Sequence, residues 1–268
     1  MPHATGPSCG GQDRALTWAL LNLIQCHTDT TSAPLTRRLI QHCLDLLPVD
    51  SVGVILVGPA AAAMKAGAPS GPNGGAVEMA ASSDEALRRV EVYEIETAQG
   101  PCIEALRTCR PHRVADFTAG RSRWPGLALR ATAAGYRAMW AEPLCHDDHA
   151  VGVINLYRRA TGSLDAHHQE RAQTLARAAT TGLLMQRTLT DCLVRVGQLQ
   201  QALSTRVPIE QAKGILAVRL GLSPNAAFEV LRGYARAHRM RLYDLARALV
   251  DDPAGPWPPP SAPIGRGR

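Results

Sequence analysis

QLQQALSTRVPIEQAKGILAVRLGLSPNAAFEVLRGYARAHRMRLYDLARALVDD, residues Gln198–Asp252, is the stretch on which the reading of this chain turns. Apolar residues recur in it at helical spacing, in three short runs. The first, Pro208–Leu220, sets Ala212, Ile215, Leu216 and Leu220 on one stripe and stops at Gly221. Ser223 then offers an N-cap with Pro224 just inside the next helix, Pro224–Arg239, whose inward set is Ala227, Phe228, Leu231 and either Tyr234 or Ala235. The third, Arg241–Val250, turns Leu242, Leu245, Ala246 and Leu249 inward. No helix of this length is stable alone in water, so the three must pack on one another and on the end of the helix before them. A break is expected at Val207–Pro208, because proline lacks the N–H and pushes its predecessor out of helical dihedrals.

Arginines occupy faces that this packing does not use. Between Arg206 and Arg247 eight basic residues stand against Glu210, Glu229 and Asp244, an excess of +5 within a chain of formal charge +6. Arg232, Arg236 and Arg239 fall at i, i+4 and i+7, on one helical face. Such a stripe gives salt-dependent affinity for phosphates, and guanidinium groups also stack on unpaired bases; the alternative is a merely solvated face. Lys213 precedes Gly214, an arrangement that suits an ammonium near a phosphate with close backbone approach, or equally an i,i+3 pair with Glu210 and tight helix packing. Arg206, at the expected break, can reach a phosphate or a carboxylate. Tyr234 reads as core or as a base-stacking platform, and Tyr243 as surface packing or base contact.

Residues 165–197 form a connecting helix whose proline-free helical reading continues to Arg206. Ala172, Leu175, Ala179, Gly182, Leu189, Leu193, Val196 and Leu203 recur in a 4,3 series, with Gln186 and Gln200 in the remaining slots. The first half is expected to pack on the preceding domain. The second half, from Leu189, is expected to pair with its copy in a homodimer. Ahead of it, residues 14–164 alternate helices and strands. Helices are expected at Leu16–Cys26, Pro34–Leu47, Asp84–Glu94, Pro101–Thr108 and Trp124–Ala134. Strands are expected at Ser51–Val57, Ala76–Ala81, Arg113–Asp116, Tyr136–Leu144 and Ala150–Tyr157, with a polar turn at Cys145–His149. Hairpins with helices on one face imply a mixed α/β or an α+β layer fold. Residues 1–13 and 253–268, rich in Gly and Pro, are expected to be disordered.

The first domain resembles a GAF domain of the variety found in actinobacterial regulators. The residues carrying this are QGPC (Gln99–Cys102), EALRTCRPHRVAD (Glu104–Asp116), RWPGLALRATAAGYRAMWAEPL (Arg123–Leu144) and VGVINLYRR (Val151–Arg159). The chain departs from that pattern at the insertion Pro59–Gly75 and at Leu164, where an aromatic is usual. The terminal stretch resembles an ANTAR domain through Gln198–Ser223 and Ala226–Val250, differing at Ala217–Val218 and His238. Together the resemblances imply an antiparallel sheet with flanking helices, a coiled-coil-like connecting helix and a three-helix module at 198–252. They imply a sensory or dimerising first domain, binding of paired stem-loops in nascent RNA, and transcription antitermination. The RNA-binding candidates are Arg206, Lys213, Gly214, Arg232, Arg236, Arg239 and Tyr243. Cys102, Trp124 and Tyr136 are candidates for a sensor pocket, with a small-molecule ligand allowed and no fixed cofactor implied.

Cys102 reads either as a reactive thiol at a helix N-terminus or as a small buried gap-filler. Cys102 and Cys109, two turns apart, are expected on one layer. Asp116 is expected to accept a local backbone hydrogen bond after its strand. Seven scattered cysteines, an odd number without CxxC spacing, argue against a disulfide framework and a structural zinc site. His112, His146 and His149 read as solvated rather than metal-binding. No apolar run is long enough for a membrane span and no signal peptide is evident, so a cytoplasmic location is the default expectation. Two other functions fit parts of the chain. A helix-turn-helix DNA binder would have to read bases with Gly233, Ala237 and His238, a poor surface. A thiol reductase acting through Cys102 and Cys109 leaves the terminal module unexplained.

Overall fold

The computed structural model describes residues 9–25, 31–58, 77–119 and 123–257. The insertion 59–75, the residues before Cys9 and the tail beyond Trp257 lie outside them. The chain divides into two compact units between Leu189 and Thr190.

The first unit is built on a five-stranded antiparallel sheet in the order β2-β1-β5-β4-β3. Its strands are β1 Ser51–Val57, β2 Val77–Ser82, β3 His112–Val114, β4 Ala138–His146 and β5 His149–Arg158. Its helices are α1 Cys9–Ile24, α2 Ala33–Leu46, α3 Glu85–Thr97, α4 Pro101–Thr108 and α5 Pro125–Ala133, with the first part of α6, Ala166–Leu220. Helices cover both faces of the sheet, not one. Val52, Val54 and Leu56 of β1 point into a core shared with Leu23, Leu39, Leu175 and Ala179. Ile55 and Val57 point the other way, to Leu87, Leu106 and Leu127. A strand buried on both sides reads as an unbroken apolar run, which is why SVGVILV does not alternate. Gly182 lets α6 lie directly on α1, since a Cβ there would collide with the Leu23 carbonyl. The first half of the 4,3 series is thus used inside the chain, with Ala172, Leu175, Ala179 and Gly182 all buried.

Local signals account for the ends of these elements. Asp84 caps α3 by accepting from the Leu87 N–H at 2.9 Å. Asp147 and Asp148, both left-handed (φ 46° and 60°), make the two-residue turn that pairs His146 with His149. Asp116 Oδ1 accepts from the Thr118 N–H at 2.9 Å, the local bond expected of it.

In the second unit α6 does not break. It runs through Pro208 to Leu220. The proline removes one donor, leaving the carbonyl of Ser204 without its ladder partner, at a cost of about 3 kcal/mol. Burial of Ala212 and Leu216 a turn or two later offsets that cost. The three-helix region therefore consists of the end of α6, α7 Pro224–Ala237 and α8 Leu242–Asp251. Its core is Ala212, Leu216, Ala227, Leu231, Ala235, Leu245, Ala246 and Leu249. Ser223 caps α7 as expected, accepting from the Ala226 N–H at 3.3 Å. The expected disorder from Pro253 does not begin there. Trp257 packs against the same core, and Arg219 donates to the carbonyls of Pro253 (3.1 Å) and Gly255 (2.7 Å).

Candidate nucleic-acid interface and sensor core

Because Ala227, Leu231 and Ala235 face inward, the sequence periodicity of α7 turns Arg232 and Arg236 outward, and both are exposed. Arg232 stands 3.6 Å from Glu229 one turn back. Exposed pairs of this kind are worth well under 1 kcal/mol, so phosphate can replace the carboxylate. Arg239 does not complete the helical stripe. The helix stops at Ala237, and Arg239 sits in the left-handed region at φ 52°. Its N–H donates to the Arg236 carbonyl (3.2 Å) and the Met240 N–H to the Ala235 carbonyl (2.9 Å), the paired bonds of a Schellman cap. That position usually belongs to glycine, as at Gly221 (φ 63°), where the Leu222 N–H donates to the Ala217 carbonyl. Arg239→Gly is expected to stabilise the bundle by about 1 kcal/mol through relief of this conformation. Chemical denaturation should show it; a lower midpoint would mean that the arginine side chain itself holds the cap together.

The remaining candidates lie apart from that helix end in chemistry if not in sequence. Lys213 is ion-paired with Glu210, and Arg206 lies 3.9 Å from the same carboxylate. The hydrogen bond from Lys213, then the Lys213 and Arg206 charges, hold Glu210 below the usual carboxylate range. Gly214 faces open space, so close helix packing is not its role. Tyr243 is half-buried and its hydroxyl accepts from Arg247 at 3.1 Å. Sequence reasoning missed Trp257. Its ring lies 5.4 Å from that of Tyr234, which also stacks on His238 at 3.9 Å. A tryptophan among prolines gave no periodic signal to find it by.

In the first unit Cys102, Trp124 and Tyr136 do share one core layer. Cys102 and Tyr136 are fully buried, whereas Trp124 is half-buried at the N-terminus of α5 with the Arg123 guanidinium 5.1 Å from its ring. Burial, then the nearby Glu94 charge, push the Cys102 thiol well up. It is therefore a gap-filler and not a thiolate. Cys109 joins the same layer, but as a disulfide with Cys145, contrary to the expectation from cysteine spacing.

Polar groups are set into this layer. Glu91 accepts from Asn155 Nδ2 (2.8 Å) and from Ser82. Glu94 accepts from the Cys102 N–H (3.3 Å) and the Tyr157 hydroxyl (3.1 Å). The Tyr136 hydroxyl reaches Ser51 (2.9 Å) and Asp84 (3.1 Å). Both glutamates are fully buried, and desolvation lifts Glu91 to about 8 and Glu94 to about 7. Asn155 Oδ1 is left without a partner. A groove of about 380 Å³ opens nearby between α3 and α5, lined by Arg89, Val90, Arg130 and Ala133 and by none of the three candidates. Among the described residues no three His, Cys, Asp or Glu side chains converge as a metal site. No single helix among them is long and apolar enough to cross a membrane.

Comparison with known proteins agrees with this division. The GAF domain family model matches residues 30–183, and the ANTAR domain model matches residues 197–250. No curated protein matches the chain. Among solved structures it is similar to free methionine-R-sulfoxide reductase from Neisseria meningitidis in complex with its substrate (13% identity, 70% of this chain and 98% of that one, TM-score 0.49). It is also similar to the reduced fRMsr of Staphylococcus aureus (14%, 68% and 99%, 0.46). A third is the chromophore-binding domain of a bacteriophytochrome from R. palustris (11%, 70%, TM-score 0.47), of which this chain spans 65%. At such distances nothing of their chemistry carries across.

Proposed function

Because the chain belongs to the GAF domain family and carries an ANTAR domain behind it, a regulatory pairing, we propose that it binds structured RNA and acts as a transcription antitermination regulator. The GAF domain is the sensory or dimerising partner in this reading. The target is a pair of stem-loops in a nascent transcript, gripped by Arg206, Lys213, Arg232, Arg236 and Arg239, with Tyr243 beside a loop base and Gly214 leaving room for the backbone. The observation that carries the reading is the outward placement of Arg232 and Arg236 on a helix whose other face is fully committed to the bundle core. The exposed Arg239 adds a third cation at the end of that helix, held there by backbone geometry.

A homodimer fits the same reading. Leu193, Val196 and Leu199 of α6 are 55%, 48% and 66% exposed, too much apolar surface for a helix that stays alone in water. A second copy of α6 would cover them.

The test is a titration of a labelled two-hairpin RNA against the wild type and Arg232→Ala/Arg236→Ala. Removing two phosphate contacts should weaken binding at least about tenfold at modest salt and lower the salt slope by about two. Equal affinity would reject the α7 face. Tighter binding to duplex DNA of the same sequence would favour a DNA-binding regulator instead.

A further inference from the structure

We propose that Cys109 and Cys145 form a reversible disulfide, exchanged with small dithiols, that governs how the first part of α6 packs against the sheet edge. This inference does not depend on RNA binding. The two residues are joined across 36 positions, with their Cα atoms 6.0 Å apart. Cys109 closes α4 in the left-handed region (φ 49°), and Cys145 sits where the β4–β5 register slips between Leu144 and Cys145. Both ends of the bond therefore lie at irregular backbone, one at a helix end and one at a slip in the ladder.

Access separates this pair from Cys43 and Cys102. Cys43 and Cys102 are buried. Cys109 and Cys145 are half-buried and line a groove of about 320 Å³ open to solvent. The opposite wall of that groove is α6, through Gln173 and Arg177. Arg177 places a cation where an incoming thiolate must approach. Glu142 of β4 also lines the groove and accepts from Trp140 Nε1 at 2.8 Å.

The exchange balances as follows. A thiolate of the dithiol attacks one cysteine sulfur, the Cys109–Cys145 bond breaks, and the displaced cysteine leaves as a thiolate and takes a proton. The second thiol of the reagent then attacks the mixed disulfide, closes the reagent into a cyclic disulfide, and releases the other cysteine. Two electrons and two protons pass from dithiol to protein. Two thiols cannot remain at bonding distance, so their sulfurs must part by roughly an ångström or more. The groove wall then moves away from α6.

The experiment uses the full chain, purified without reductant. Free thiols are alkylated and the peptides mapped. The chain is then equilibrated in oxidised and reduced dithiothreitol mixtures, and hydrogen exchange is followed across residues 166–189. Expected are a Cys109–Cys145 cross-linked peptide, a two-electron titration, and exchange across 173–180 that rises by roughly fivefold or more on reduction. Cys109→Ser and Cys145→Ser should exchange like the reduced wild type and ignore dithiothreitol. Should either variant misfold, the wild-type titration decides alone. Alkylation of both cysteines in the unreduced chain, a cross-link through other cysteines, or unchanged exchange in 173–180 on reduction would each overturn the proposal.

Discussion

Gly53→Ala should destabilise the first unit by about 3 kcal/mol, the cost of forcing extra atoms into a packed core. A Cβ at that point of β1 would fall within the Glu91 carboxylate. The carboxylate has nowhere to go: it is fully buried and held by Ser82 and Asn155. The strand cannot yield either, since Gly53 pairs with Ser82 on one side and Asn155 on the other. The same substitution in α7 has the opposite sign. Gly233 faces open space in a helix interior, so Gly233→Ala should stabilise the bundle by about 1 kcal/mol. Urea denaturation of the two variants beside the wild type is the check. An unaltered midpoint for Gly53→Ala would mean that Glu91 does not lie over β1.

The second large effect is a pH dependence set by Glu91. Burial raises its carboxyl from the ordinary 4.5 to about 8; hydrogen bonds from Ser82 and Asn155 oppose this, and the Glu94 and Asp84 charges add to it. The groups facing it are thus neutral or acidic, from β2, β5, α3 and the α3 cap. Between those two pH values the folded chain holds a proton that the unfolded chain has lost. Stability is therefore fully present below about pH 4.5 and declines as the pH rises through about 8, by up to about 1.4 kcal/mol per unit. Glu94, raised to about 7, steepens the same decline. Glu91→Gln removes the Glu91 share of it. The amide oxygen keeps an acceptor for Asn155 Nδ2, and the amide NH2 can donate to the Ser82 hydroxyl and to the unpartnered Asn155 Oδ1. Unfolding midpoints at pH 5, 6.5 and 8 should fall for the wild type and fall less steeply for the variant, in which Glu94 still titrates; the variant becomes the more stable protein at pH 8. Parallel curves would sink the assignment.

Much of this architecture could be read before any coordinates, and the exceptions share a cause. The strands, the helix starts at Pro101 and Pro224 and the Asp147–Asp148 turn were legible because each depends on a few neighbouring residues. The outward placement of Arg232 and Arg236 followed from helical spacing alone. Arg239 broke the pattern because the cap that ends α7 uses an arginine where glycine would have announced the stop. Pro208 misled in the other direction: the local rule was sound, but packing two turns away outweighed it. Nothing in the segment EVYEIET announces that Glu91 and Glu94 are buried. Their burial depends on Asn155 and Tyr157, more than sixty residues along the chain. The Cys109–Cys145 pair is invisible to spacing for the same reason.

Trp257 has a practical consequence for anyone dissecting the protein. A truncated fragment cut at Val250, where the family match ends, would strip the indole from Tyr234 and deprive Arg219 of the two carbonyls it holds. It would also set free a guanidinium that the intact chain keeps occupied, and so acquire an artificial appetite for polyanions. The shortest faithful excision of this module must keep the proline-flanked tryptophan.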